Sequence, residues 1–278
     1  MIEKFPQISE QSIMVIKVKV RNFSIEQVAN SGQCFRINRL GAENVWQVMA
    51  LGKVLKIQPV DRTTYIFHCS WDEYKTVWTD YFDFGRDYGA IKNSILSSND
   101  PYLSRAIECG FGLRILRQDI WEVMVSFMIS QRNSIPRIKG IIEKLCAPHG
   151  GMFPSPQALA KCGEKFFRGM GLGYRAEYLV KMARAADDGT CDMELLKTLS
   201  CKEAIKYLKR LDGVGDKVAN CIALYGLHKL EAFPMDTWIR RIVEKQYGGI
   251  FDTGPFSEYA GVAQQYMFFY QRQLEDKI

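Results

Sequence analysis

The chain is 278 residues long, 47% hydrophobic and 24% charged, with a net charge of +6. Those proportions describe a globular protein with room for one large domain or two modest ones, and its mild basicity admits a polyanionic partner without demanding one. No stretch reaches the ~20 uncharged apolar residues that span a bilayer, and the charged, proline-broken start MIEKFPQISEQ is not a secretory signal. The eight cysteines form no C-x-x-C pair and the three histidines lie far apart, so free thiols in a reducing compartment and no zinc site are expected.

In chain order, the first third predicts strands. Ile16, Val18 and Val20 alternate with Lys17, Lys19 and Arg21, the period of a half-buried strand. CFRINRL, VWQVMALGKVLKI and TYIFHCS follow, and a Leu51-Gly52-Lys53 turn splits the middle run into a hairpin. An antiparallel sheet across residues 12–70 is expected. From Trp71 the pattern turns helical. DIWEVMVSFMISQ places Ile120, Val123, Met124, Phe127 and Met128 on one face. Ser155-Pro156 is a helix start, and Ser200 with Glu203 is a capping box opening KEAIKYLKRL. That helix is expected to stop at Asp212-Gly213, and the next to begin at Asp216 with Val218, Cys221, Ile222 and Tyr225 buried. The fold class predicted is α+β: a sheet domain with flanking helices over 1–98, then a mostly helical domain over 99–278.

Leu-Asp-Gly-Val-Gly between two helices predicts a helix-hairpin-helix. Gly213 and Gly215 permit positive φ and close backbone approach, so the hairpin amides and the next helix's N-terminus can face a phosphate. Carbonyls on the other side, those of Lys209, Leu211 and Val214, can hold a monovalent cation bridging to the same phosphate. A plain glycine-rich loop between core helices is the simpler alternative. Lys217 then falls in the first turn of the second helix, where the dipole disfavours a charged ammonium. An amine placed there can attack an electrophilic carbon and form a Schiff base. Asp236 follows in Phe-Pro-Met-Asp-Thr, placed to cap the helix TWIRRIVEKQ. A carboxylate can equally take the amine's proton and stabilise a sugar cation. Both roles are compatible.

Gly-Val-Gly-x-Lys followed by Pro-x-Asp resembles the helix-hairpin-helix, Gly/Pro-Asp DNA glycosylases. SGQCFR (31–36), SIPRI (134–138), GLGYRA (171–176) and AGVAQQYMFF (260–269) resemble segments of the 8-oxoguanine DNA glycosylases, across about residues 14–270. The resemblance implies a bifunctional repair glycosylase and lyase acting on duplex DNA, with Lys217 attacking C1′ and Asp236 assisting. It implies that Phe268 stacks on the flipped base, Cys221 walls the pocket, Gln264 reads the Watson–Crick edge and the Gly32 carbonyl senses the hydrogen on N7. The Lys217–Cys221 spacing of i, i+4 independently puts those two side chains on one helical face. Asn133, Arg137 and Arg175 match the residues that handle the orphaned cytosine, and Tyr174 matches the wedge that kinks the duplex. Two positions depart from the family pattern: Arg132 stands where an asparagine fills the vacated stack, and Trp238 where a histidine contacts phosphate.

No cofactor is implied, and the partner expected is double-stranded DNA bearing 8-oxoguanine opposite cytosine, bound by a monomer. Such a protein is expected in the cytoplasm, at the nucleoid, if its source is prokaryotic. Two alternatives stand beside this reading. One is an endonuclease III-like glycosylase without its iron–sulfur cluster, since no cysteine follows Cys221. The other is a non-catalytic module gripping phosphate through the hairpin, which needs neither Lys217 nor Asp236.

Overall fold

The computed structural model describes residues 14–275. Its first element, β1 (Ile16–Lys19), turns Val18 inward and leaves Lys17 and Lys19 in solvent, as the alternation requires. Strands β2 (Ile37–Leu40), β3 (Val45–Ala50), β4 (Lys53–Pro59) and β5 (Thr64–Phe67) complete an antiparallel sheet in the order β1-β5-β4-β3-β2. Ala50 pairs with Lys53, so β3 and β4 share a two-residue turn. Leu51 and Gly52 both take positive φ there (52° and 70°), as a hairpin turn matched to strand twist demands. The inward face of Ile37, Trp46, Val48, Leu55, Ile57 and Phe67 packs with Trp78, Tyr81 and Phe82 from the helical segment after β5.

A helix at Ile25–Asn30 interrupts the strands and was not expected. Ser24 caps it, accepting from the Gln27 amide at 3.3 Å. Its signature, Ser-x-x-Gln, is a capping-box pattern that a reading of this region for period 2 alone passes over. Two other expectations shift. Helix Ile120–Ser130 carries no exposed face: every residue from Ile120 to Ile129 is buried, Glu122 and Ser126 included. It packs against Ile135–Cys146, Arg175–Asp187 and Asp216–Tyr225, so neighbours cover it all round. The capping-box helix runs only Cys201–Leu208, ending a few residues before Asp212. Ser155-Pro156 does open a helix, Pro156–Ala160, with the serine accepting from Ala158 N.

The chain forms two compact units. One runs to Arg117 and resumes at Thr237; the other is Gln118–Asp236. This differs from a division at residue 98, because helix Ala260–Glu275, buried along Ala260–Met267, packs on Pro101–Cys109 and Thr237–Tyr247. Sequence order hides that return. No helix among the described residues is long and apolar enough to cross a membrane.

Candidate active site

The hairpin is built as its composition dictates, with one correction. Gly213 stands at φ +79°, and a Cβ there would lie 2.4 Å from the Tyr178 ring, so both conformation and space demand glycine. Gly215 does not share the positive φ expected of it; at φ −90°, ψ −176° it is extended, and a Cβ would meet nothing within 4 Å. Its use is as the N-cap residue of Asp216–Tyr225, with no side chain beside the helix's first amides. Val214 N donates to Leu211 O at 3.0 Å and Gln131 Nε2 to Gly213 O at 3.1 Å, which fixes the turn. Lys181 holds Asp212 at 2.7 Å and Lys209 holds Asp216 at 2.5 Å. Beside the turn opens a cleft of about 710 Å³ whose walls include Gln131, Arg132, Tyr174 and residues Lys209–Gly215. The carbonyls of Lys209, Leu211 and Val214 belong to this same turn.

Lys217, half-buried, is the second residue of the helix. Its Nζ lies 3.4 Å from Ser130 Oγ and 5.2 Å from the centroid of the Phe127 ring, which stacks on Tyr225 at 5.2 Å. Ser130 Oγ in turn donates to Phe127 O at 2.8 Å. One turn on, Cys221 is 2% exposed, and burial pushes its thiol up to about 11. Lys217 pulls that thiol down and Asp236 pushes it up, so both side chains act on the one sulfur. Burial, Cys221 and Asp236 likewise hold the Tyr225 phenol well above its ordinary range. The structure thus brings Lys217, Cys221 and Asp236 together within the second unit.

Sequence reasoning missed Asn220. Its Oδ1 accepts from Phe233 N at 3.2 Å while its Nδ2 donates to Asp216 O at 2.9 Å, tying the segment leading to Asp236 onto the lysine's own helix. Asparagine on a helix surface carries no signal of such a bond. Only the folded distance reveals it.

The residues matched to the orphaned base sit at the starts of two helices of this unit: Asn133 just ahead of Ile135–Cys146 and Arg137 in its first turn, Tyr174 as the N-cap residue and Arg175 as the first residue of Arg175–Asp187. Arg175 is 9% exposed, and its guanidinium donates to the carbonyls of Gln131, Arg132 (3.1 Å) and Leu172 (3.2 Å), beneath the Tyr174 ring at 4.6 Å. It braces the loop. Asn133 Nδ2 donates to Ile129 O at 3.2 Å. Arg137 is exposed, touching Gly171 O at 2.9 Å, and Tyr174 is 47% exposed. Arg132 is exposed at φ +47°, a conformation a long L side chain rarely takes.

Gly32, Gln264, Phe268 and Trp238 all belong to the first unit. Gly32 stands at φ +76°, half-buried between buried Ser31 and Gln33. Gln264 is 2% exposed on helix Ala260–Glu275, with half-buried Phe268 one turn further along the same helix. Trp238 lies half-buried in the first turn of Thr237–Tyr247, the helix that Asp236 immediately precedes.

Comparison with known proteins agrees with this construction. Residues 15–124 match the 8-oxoguanine DNA glycosylase N-terminal domain, and residues 125–252 match the HhH-GPD superfamily of base excision DNA repair proteins. The N-glycosylase/DNA lyase of Saccharomyces cerevisiae is 34% identical over 159 residues, 49% of this chain and 42% of its own length. The N-glycosylase/DNA lyase OGG1 of Arabidopsis thaliana is 30% identical over 272 residues, 86% of this chain and 74% of its own length. Among solved structures, the Clostridium acetobutylicum 8-oxoguanine glycosylase/lyase, in complex with duplex DNA containing cytosine opposite 8-oxoguanine, superposes with a TM-score of 0.86. It is 34% identical, covering 99% of both chains. Fold and hairpin define a helix-hairpin-helix base-excision repair protein. The chain belongs to the 8-oxoguanine DNA glycosylase family, and the N-terminal match sets the endonuclease III-like alternative aside.

Proposed function

We propose that this protein excises 8-oxoguanine from duplex DNA and cleaves the strand at the resulting site, preferring cytosine opposite the lesion. The observation that carries the reading is the grouping of Lys217, Cys221 and Asp236 at the end of a phosphate-binding hairpin. The flipped nucleotide's phosphates are held by the hairpin amides and the N-terminus of Asp216–Tyr225. That fixes C1′ for attack by Lys217 Nζ. As the C1′–N9 bond breaks, its electron pair leaves with the base, and the sugar's developing positive charge is met by the Asp236 carboxylate. The amine's proton passes to the departing base or to Asp236. Ring opening gives an imine between Nζ and C1′; loss of a C2′ proton then expels the 3′ phosphate by β-elimination. Cys221, held neutral, is a pocket wall and takes no part in proton transfer.

Phe268 supplies the stacking face, Gln264 reads the Watson–Crick edge and the Gly32 carbonyl accepts from N7–H. Arg137 and Tyr174, both exposed, reach the opposite strand, while Arg175 and Asn133 shape the loop at 131–133 just ahead of Arg137's helix. Trp238 and the residues of the hairpin grip phosphate. The carbonyls of Lys209, Leu211 and Val214 are neutral oxygens on one turn, a donor set suited to a monovalent cation. The protein works as a monomer on chromosomal DNA, which in a prokaryote means the nucleoid.

Borohydride trapping on duplex DNA with 8-oxoguanine opposite cytosine tests the reading. A covalent adduct should form with the wild type, and Lys217→Gln should abolish both adduct and base release while DNA binding persists. A wild type that leaves no adduct would reduce the protein to a phosphate-gripping module, and trapping by Lys217→Gln would mean that another amine attacks.

A further inference from the structure

The loop carrying Gly32 is held from several directions within its own unit. Gln33 Nε2 donates to Ser31 Oγ at 2.9 Å and to Arg114 O at 2.8 Å, while its Oε1 accepts from Leu116 N at 2.9 Å. Ser31 Oγ donates to Val28 O at 2.7 Å. A further grip comes from helix Ala260–Glu275: Gln265 Nε2 donates to Ser31 O at 2.7 Å and Arg272 Nη1 to Asn30 O at 3.0 Å. Gln265, Phe268 and Arg272 fall at i, i+3 and i+7, on one face of that helix. The Arg272 guanidinium lies 5.8 Å from the Phe268 ring centroid. One helical face therefore presents Phe268 and grips the two peptide groups just ahead of Gly32. Gln265 is only 1% exposed, so water does not readily replace it at the Ser31 carbonyl.

Building on the reading that Gly32 and Phe268 recognise the lesion, we propose that Gln265 and Arg272 are positioning residues for lesion discrimination. They act through the Asn30 and Ser31 carbonyls and touch no base themselves. By fixing these peptide planes to the helix that bears Phe268, they hold the Gly32 carbonyl in register with a base stacked on that ring. At that distance the carbonyl accepts N7–H of 8-oxoguanine and is repelled by the N7 lone pair of guanine, so attraction and rejection depend on the same placement. A displacement of about 1 Å loses both, and misplacements of that size can cost about 10²-fold in rate.

Gln265→Leu keeps most of the volume and removes the donor. Single-turnover excision of 8-oxoguanine opposite cytosine should fall about tenfold, the effect of one lost buried hydrogen bond expressed in the transition state. The ratio of affinities for 8-oxoguanine and guanine duplexes, measured in a Lys217→Gln background, should fall by a similar factor. Nicking of a preformed abasic site needs no base recognition and should stay within about twofold of wild type, well inside the tenfold loss. Arg272→Ala, at a more accessible position, should lower the affinity ratio about threefold without changing thermal stability, and it decides the matter if Gln265→Leu does not fold. Unchanged ratios in the folded variants would overturn the proposal, as would excision and abasic nicking falling together. A wild type that nicks abasic DNA but leaves 8-oxoguanine in place would instead refute the functional reading beneath it.

Discussion

Arg132 occupies a left-handed backbone position at the mouth of the cleft beside the hairpin. An L side chain there loses roughly 1 kcal/mol against asparagine, whose short amide tolerates the conformation. Arg132→Asn should therefore raise stability by about that amount, read as a higher thermal midpoint, and should sharpen the preference for cytosine by replacing a long, adaptable cation with a compact amide. A variant no more stable than wild type, and as permissive, would assign the arginine a hold of its own on this loop. Phe268→Ala should weaken lesion binding by about 1–3 kcal/mol, the worth of an aromatic stacking platform. Equal affinity of Phe268→Ala and wild type for lesion DNA would remove the ring from the site. At this scale the sequence was informative where a short pattern carries the residue: the lysine two residues after the second hairpin glycine, the aspartate of Pro-Met-Asp, and the thiol one turn on from the lysine. It was silent on Asn220, Gln265 and the bracing by Arg175, because a polar side chain bonding a distant carbonyl leaves no local pattern.

Elements show the same division between local and distant causes. The two glycines of the hairpin look alike in sequence, yet only Gly213 is forced. Gly213→Ala combines a positive φ with a Cβ 2.4 Å from Tyr178, so it should cost about 1–3 kcal/mol or more and displace the turn. DNA affinity should fall with it. Gly215→Ala meets neither obstacle, and should change stability by no more than about 1 kcal/mol, in either direction. Parallel thermal melts of the two variants decide it, and equal losses would sink the distinction. Strand alternation, the Leu51-Gly52 turn and the Ser155 and Ser200 caps were legible because each depends on neighbours within a few residues. The length of Cys201–Leu208 and the full burial of Ile120–Ser130 were not, since packing partners far along the chain set both.

For the molecule as a whole, the return of the last two helices to the N-terminal unit is the feature least visible in sequence, and the buried titratable groups are distributed over both units. In the first, burial and, secondarily, Glu73 push the Cys69 thiol up to about 12, and burial and Asp61 push Tyr65 up to about 12. In the second, burial pushes Cys191 and Cys221 up to about 11, from an ordinary thiol value of 9.0. Each of these acids is weaker folded than unfolded. Their contribution is fully present below pH 9. As pH rises further, the unfolded chain releases protons that the folded chain retains, and stability declines until the folded thiols themselves ionise near 11–12. Each fully buried thiol in that window takes about 1.4 kcal/mol per pH unit, and several act together. Urea unfolding midpoints should thus be nearly level from pH 7 to 8.5 and fall steeply from 9 to about 10.5, reversibly if exposure is brief and reductant is present. Cys221→Ala, removing one such group, should make the decline shallower while lowering the neutral-pH midpoint through the small void it leaves. A midpoint independent of pH across 8 to 10.5, or a Cys221→Ala slope as steep as wild type, would show that these thiols ionise in the fold as readily as they do in water.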